Sequence, residues 1–125
     1  GLRWVSAELD RDPDMRFTCW VDSVRGVELM TAALAEAHWR VDVCVELGMP
    51  GGRTGCRSAH DVDAVARAVV ASPRLRLVGV AGYEAGLSQE LTDDAMAAVA
   101  SHLADLRATV IRLGALFEAD HIVVS

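Results

Sequence analysis

At 125 residues the chain is one domain's worth of polypeptide, and 52% hydrophobic against 24% charged residues describes an ordinary globular core. A net charge of −6 argues against a nucleic-acid backbone as partner. No apolar run reaches transmembrane length and no charged leader precedes an apolar segment, so neither a membrane span nor a signal peptide is expected.

Leu2, Val5 and Leu9 recur at helical spacing, and the breaker cluster Asp10-Arg11-Asp12-Pro13 ends that helix. Phe17–Val21 is aromatic and β-branched and predicts a short strand. Asp22 or Ser23 then caps a helix running to about Ala37, with Val27, Met30 and Leu34 on its core face. Val41–Leu47 predicts a buried strand. Val41, Val43, Val45 and Leu47 fall on one side of it, Asp42 and Glu46 on the other. Carboxylates on a covered face need partners, so Asp42 and Glu46 are expected in a polar layer or salt bridge. A glycine-rich loop follows, GMPGGRTG, with Arg53 in its middle.

Ser58 and Asp61 read as a capping box for a helix over Ala59–Ala71, buried through Val62, Val65, Ala66 and Val69 and stopped by Ser72-Pro73. Leu75–Ala81 predicts the third strand, closing on a second glycine-bearing loop from Gly82 to Gly86. A long helix from Thr92 or Asp93 to about Phe117 carries the apolar seam Met96, Val99, Leu103, Leu106, Val110 and Leu113, with His102 beside it, packed or half exposed. Gly114 weakens its last turn. His121–Ser125 is the fourth strand.

Strands alternating with helices imply parallel strands joined by helical crossovers, either in an open doubly wound sheet or in part of a (β/α)8 barrel. Four strands are too few to close a barrel. In a parallel sheet the carboxyl ends of the strands share one rim, where α/β proteins hold ligands. Arg53 and Tyr83, each in a loop after a strand, are therefore expected to share a site. Arg53 offers a permanent planar cation with forked donors; the plainer alternative is a tight turn whose arginine faces solvent. The loop lacks the lysine-then-Ser/Thr ending of a phosphate-binding P-loop, which argues against nucleotide binding.

The twelve lysine-or-arginine positions are all arginine, and the chain has no asparagine. A Schiff base to a side-chain amine is thus unavailable within this chain. Cys19, Cys44 and Cys56 form no CxxC pair, and the expectation is reduced thiols in a cytoplasmic protein.

The phrases VELGMPGGRTGCR and LRLVGVAGYEAG, in that order with a helix between them, resemble fold-type III pyridoxal-phosphate enzymes, nearest the D-threonine aldolase and D-serine dehydratase-like branch. That branch shares its barrel domain with alanine racemase. The resemblance covers most of the chain, from Val21-Asp22-Ser23 to the last strand. It implies a partial (β/α)8, TIM-type barrel of about four parallel strands, with residues 1–125 an internal fragment of that barrel domain. It implies pyridoxal 5'-phosphate as cofactor, with Arg53 approaching its phenolic oxygen and Tyr83 lying beside its ring. A histidine stands at the Tyr83 position in the racemase relatives, so tyrosine favours the aldolase and dehydratase branch. The lysine that joins the cofactor, the glycine-rich turn for its phosphate, and the metal and second-domain residues are all expected outside this sequence. No catalytic and no metal-binding residue is assigned within it.

The function so implied is a lyase, aldolase or dehydratase, or else a racemase, acting on a small-molecule D-amino acid. The chain alone is expected to be inactive because it has no lysine. Glu84, beside Tyr83, reads as a solvated loop carboxylate. The alternative is a non-catalytic pyridoxal-phosphate carrier of the same fold, and a blander one is an anion-binding α/β module. An open sheet with two unpaired edges is also expected to self-associate.

Overall fold

The computed structural model describes residues 1–12, 14–83 and 92–125. The elements run α1 (Leu2–Arg11), β1 (Thr18–Val21), α2 (Val24–Ala33), β2 (Val41–Leu47), α3 (Ala59–Ala71), β3 (Leu75–Gly82), α4 (Asp93–Leu113), a 3-10 turn (Gly114–Leu116) and β4 (Val123–Val124). Three helices start on a hydroxyl that satisfies a free backbone N–H. Ser23 accepts from Gly26 at 3.2 Å, Ser58 from Asp61 at 3.1 Å and Thr92 from Ala95 at 3.2 Å. The Asp61 carboxylate answers Ser58 through the serine hydroxyl, at 2.8 Å, so the expected capping box forms with a side chain in place of the backbone N–H.

All strand pairs are parallel and the order is β1-β2-β3-β4. One apolar cluster joins Val27 and Leu34 of α2, Val62, Val65, Ala66 and Val69 of α3, and Leu106 and Leu113 of α4 to Val21, Val41, Val43, Val45, Leu75, Leu77 and Val80 of the sheet. The crossover helices therefore lie on one face. Sequential order with helices on a single face is the winding of a (β/α)8 barrel; a doubly wound sheet would reverse its order and cover both faces.

The opposite, inner face carries Asp42, Cys44 and Glu46 of β2. Cys44 packs there with Val78 and Ala81 of β3, and Ala119 covers them. The segment before β4 reaches this face because Glu118 is tied to β3: its N–H donates to the Leu77 carbonyl at 2.9 Å, and its carboxylate accepts both from Leu77 N–H at 3.3 Å and from Arg40 Nη2 at 2.8 and 2.9 Å.

The pairing of β2 with β3 slips by one residue: Val43 faces Leu77, but Cys44 faces Gly79. This bulge was not visible in the sequence. Gly79 permits it, because a Cβ there would run into the Val123 backbone of the adjoining strand.

Three element boundaries and one helix face differ from expectation. The second helix ends at Ala33 rather than Ala37, because buried Leu34 leaves helical geometry (φ −103°, ψ 16°) and the chain turns toward β2. The last helix stops at Leu113, and Gly114 carries the chain into the 3-10 turn. Its buried face is His102, Leu106, Thr109 and Leu113, whereas Met96 and Leu103 are exposed. The core-facing stripe is rotated about one residue from the apolar seam, so two polar side chains are buried in place of two apolar ones. The last strand is two residues long, although Ser125 extends it by accepting from Gly82 N–H at 2.7 Å.

Candidate functional site

The loop after β2 is built by folding back on the strand that launches it. Cys56 N–H donates to the Glu46 carbonyl at 2.8 Å, and Gly48 N–H to the Cys56 carbonyl at 2.9 Å, making a short parallel bridge between Leu47 and Cys56. This return demands glycine at two places. Gly55 sits at φ +89°, and a Cβ on either Gly48 or Gly55 would overlap the backbone of the other side of the loop. The loop is then fastened to the sheet. The Asp22 carboxylate, just past β1, accepts from Gly55 N–H at 3.1 Å, and the Cys56 thiol donates to the Asp22 carbonyl at 3.3 Å. Thr54 Oγ1 donates to the buried Glu46 carboxylate at 2.5 Å.

Arg53 stands at the tip of this loop, exposed, with no hydrogen-bond or ion-pair partner among the described residues. Tyr83 follows the last residue of β3 and is 57% exposed. Leu47 pairs with Gly82 across the two strands, so both residues leave the sheet from adjacent strands at its carboxyl rim. A Cβ on Gly82 would point at α4, 2.6 Å from His102 Nε2 and 3.1 Å from Leu106. The next residue in the alternation, Tyr83, therefore falls on the inner face with Ala81. His102 is buried, and its Nε2 has no hydrogen-bond partner among the described residues. The remainder of the loop from Gly82 to Gly86, with Glu84, lies outside the described residues.

The two inner carboxylates of β2 are both partnered, as a polar layer requires. Asp42 takes a bidentate pair from Arg76, at 2.7 and 2.8 Å, and this bond raises the arginine's pKa. Glu46 holds Thr54. Burial, reinforced by neighbouring acidic groups, pushes the Cys44 and Cys56 thiols up to about 11. Unfolded, such thiols ionise near 9.0. Between those values the folded chain keeps protons that the unfolded chain has lost, so stability is full below pH 9 and falls as the pH rises toward about 11. The loss should approach ~2–3 kcal/mol per thiol. Urea unfolding at pH 8 and pH 10.5 checks this, and Cys56→Ala should show a shallower decline.

Sequence reasoning singled out Arg53 and Tyr83 and passed over the residues that hold the loop. Asp22 was considered only as a helix cap; Ser23 does that work, leaving the Asp22 carboxylate for Gly55. Arg57 was not singled out, yet its guanidinium bonds three loop carbonyls: Met49 at 2.8 Å, Gly52 at 2.5 Å and Thr54 at 2.7 Å. The usable signal was an arginine a few residues beyond a glycine cluster, where carbonyls lack regular partners. Among the described residues, no group of three or more His, Cys, Asp or Glu side chains is placed to hold a metal ion. None of the described helices is long and apolar enough to cross a membrane.

Comparison with known proteins agrees with this architecture. Over its whole length the chain is similar to the crystal structure of D-threonine aldolase from Filomicrobium marinum, at 22% identity and a TM-score of 0.71, while covering 34% of that chain. It is also similar to an unknown protein from Bifidobacterium adolescentis, at 19% identity and a TM-score of 0.59 over 87% of this chain and 43% of that one. The present chain thus spans about a third of the aldolase's length. A search of curated protein sequences found no match. The family model for the alanine racemase N-terminal domain matches residues 2–117, and the chain belongs to that family.

Proposed function

We propose that this chain supplies the cofactor-facing rim of a pyridoxal-phosphate enzyme acting on D-amino acids, of the aldolase or dehydratase type. The observation that supports the reading is an exposed guanidinium, unpaired among the described residues, and an exposed phenol that follow adjacent strands at one rim. The donor set fits the cofactor. Arg53 would donate to its phenolic oxygen, and Tyr83 would lie against the pyridine ring, where an aromatic face contributes stacking. When bound, the cofactor supplies an electron sink for bond breaking next to an amino group. Arg53, being permanently charged, would keep the phenolic oxygen in its anionic form and fix the ring's tilt. Neither residue is assigned as the base. The chain has no lysine, so covalent attachment and turnover are not expected of it alone.

Titration with pyridoxal 5'-phosphate, followed by quenching of tryptophan fluorescence, tests this. Weak, saturable binding is expected, and Arg53→Gln should lower affinity about tenfold, the loss of one charge-assisted hydrogen bond. Equal binding by the wild type and Arg53→Gln would remove the basis of the reading, as would borohydride-stable labelling of an internal residue.

We also propose that the chain self-associates. The outer edges of β1 and β4 are unpaired in the described sheet, and Trp20, Val123 and Val124 on those strands are exposed. Sedimentation velocity across a hundredfold concentration range should show a rising mean mass; a constant monomer mass would refute it.

A further inference from the structure

We infer that Arg57 and Asp22 are positioning residues that set the direction of Arg53, an inference that rests on the cofactor reading above. Arg53 lies between two held peptide groups, Gly52–Arg53 before it and Thr54–Gly55 one peptide beyond it. The Gly52 carbonyl is held by Arg57 Nη2 at 2.5 Å. A trans peptide sends its C=O and N–H in opposite directions, and no cis peptide occurs among the described residues. The N–H of Arg53 itself therefore points away from Arg57.

The next peptide but one is gripped from both sides. Its Thr54 carbonyl accepts from Arg57 Nη1 at 2.7 Å, and its Gly55 N–H donates to Asp22 at 3.1 Å. One guanidinium thus fixes the backbone on both flanks of the loop tip, and a carboxylate anchored past β1 closes the clamp. The Glu46 bond to Thr54 Oγ1 adds a third tether between the same two peptides. With its backbone held on both sides and its side chain unpartnered among the described residues, Arg53 has few directions left to take. Among the described residues its N–H and its guanidinium both have no acceptor, which leaves them for an anionic oxygen at the rim. Gly51, Arg53 and Thr54 at the tip are exposed, so the order there comes from hydrogen bonds, three of them from one arginine.

The test is a double-mutant cycle on pyridoxal 5'-phosphate affinity with Arg53→Gln, Arg57→Ala and the pair. Arg57→Ala should weaken binding about tenfold when Arg53 is present and less than twofold in the Arg53→Gln background. Asp22→Asn, which keeps a neutral acceptor, should lose about threefold, and Arg57→Lys should recover part of the Arg57→Ala loss. Equal losses in both backgrounds, or no loss at all, would overturn the inference. Amide hydrogen exchange on the same variants separates this from failure of the cofactor reading. Arg57→Ala should speed exchange at Gly55, whose N–H is held by Asp22, at least tenfold while leaving the β3 amides unchanged. If the wild type binds no pyridoxal phosphate, the cofactor reading falls; if exchange at Gly55 is unaltered by Arg57→Ala, the positioning role falls with or without binding.

Discussion

Gly55→Ala is expected to lower the unfolding free energy by about 4 kcal/mol and to abolish pyridoxal-phosphate binding. Two costs add. A non-glycine residue at a strongly positive φ carries about 1–3 kcal/mol of backbone strain, and Gly55 stands at +89°. Its new Cβ would also overlap Gly48 N and Cα. Such overlap with backbone has no flexible side chain to absorb it, and forced repacking costs a further ~1–3 kcal/mol. The sum is a large share of the ~5–15 kcal/mol by which a domain is stable. The way out for the chain is to open the loop, which releases Cys56 from Glu46 and Arg53 from its place. Gly51→Ala is the internal control. Gly51 also has a positive φ, 76°, but nothing lies within 4 Å of its Cβ position. It should show the backbone term alone, about 1 kcal/mol. Urea unfolding of both variants measures the difference, and equal costs would mean that the close approach of Gly48 and Gly55 is not real.

The second large effect is expected in the layer between sheet and helices. Leu77 is 0% exposed, in the cluster that joins β3 to α2, α3 and α4. Leu77→Ala should cost about 3 kcal/mol, the removed side chain's transfer energy plus the cavity left behind. In a chain of this size that lowers the melting temperature by ~10 °C. Neighbours cannot collapse readily into the gap, because the Leu77 backbone is bonded on both its N–H and its carbonyl to Glu118. Ile111→Ala is the contrast: it removes another large apolar side chain, but one 81% exposed, and should change stability by less than about 0.5 kcal/mol. Differential scanning calorimetry of the pair checks the assignment of core and surface on the helical side.

The framework was legible because its signals are local and repeated. Alternating apolar residues in β2, hydroxyl caps before α2, α3 and α4, and Ser72-Pro73 after α3 each encode a boundary in a few positions. The shared rim followed from the parallel topology that alternation implies, and Arg53 and Tyr83 were singled out because loops at strand ends are where ligands bind. What escaped depends on contacts between distant positions. That Asp22 anchors Gly55 cannot be read from either residue's neighbours. The face of α4 was misjudged because apolarity alone favoured Met96 and Leu103. The fold instead turns His102 and Thr109 inward, and the missing side chain of Gly82 makes room for the imidazole.

The slipped register between β2 and β3 acts on which way the tyrosine faces. Before the slip, odd-numbered residues of β3 (Leu75, Leu77) meet the helices; after it, even-numbered ones do (Val80, Gly82). Were the strand regular, position 83 would inherit the odd-numbered side, toward the crossover helices. A single supernumerary residue, placed four to five positions upstream, acts as a parity switch for the whole end of the strand.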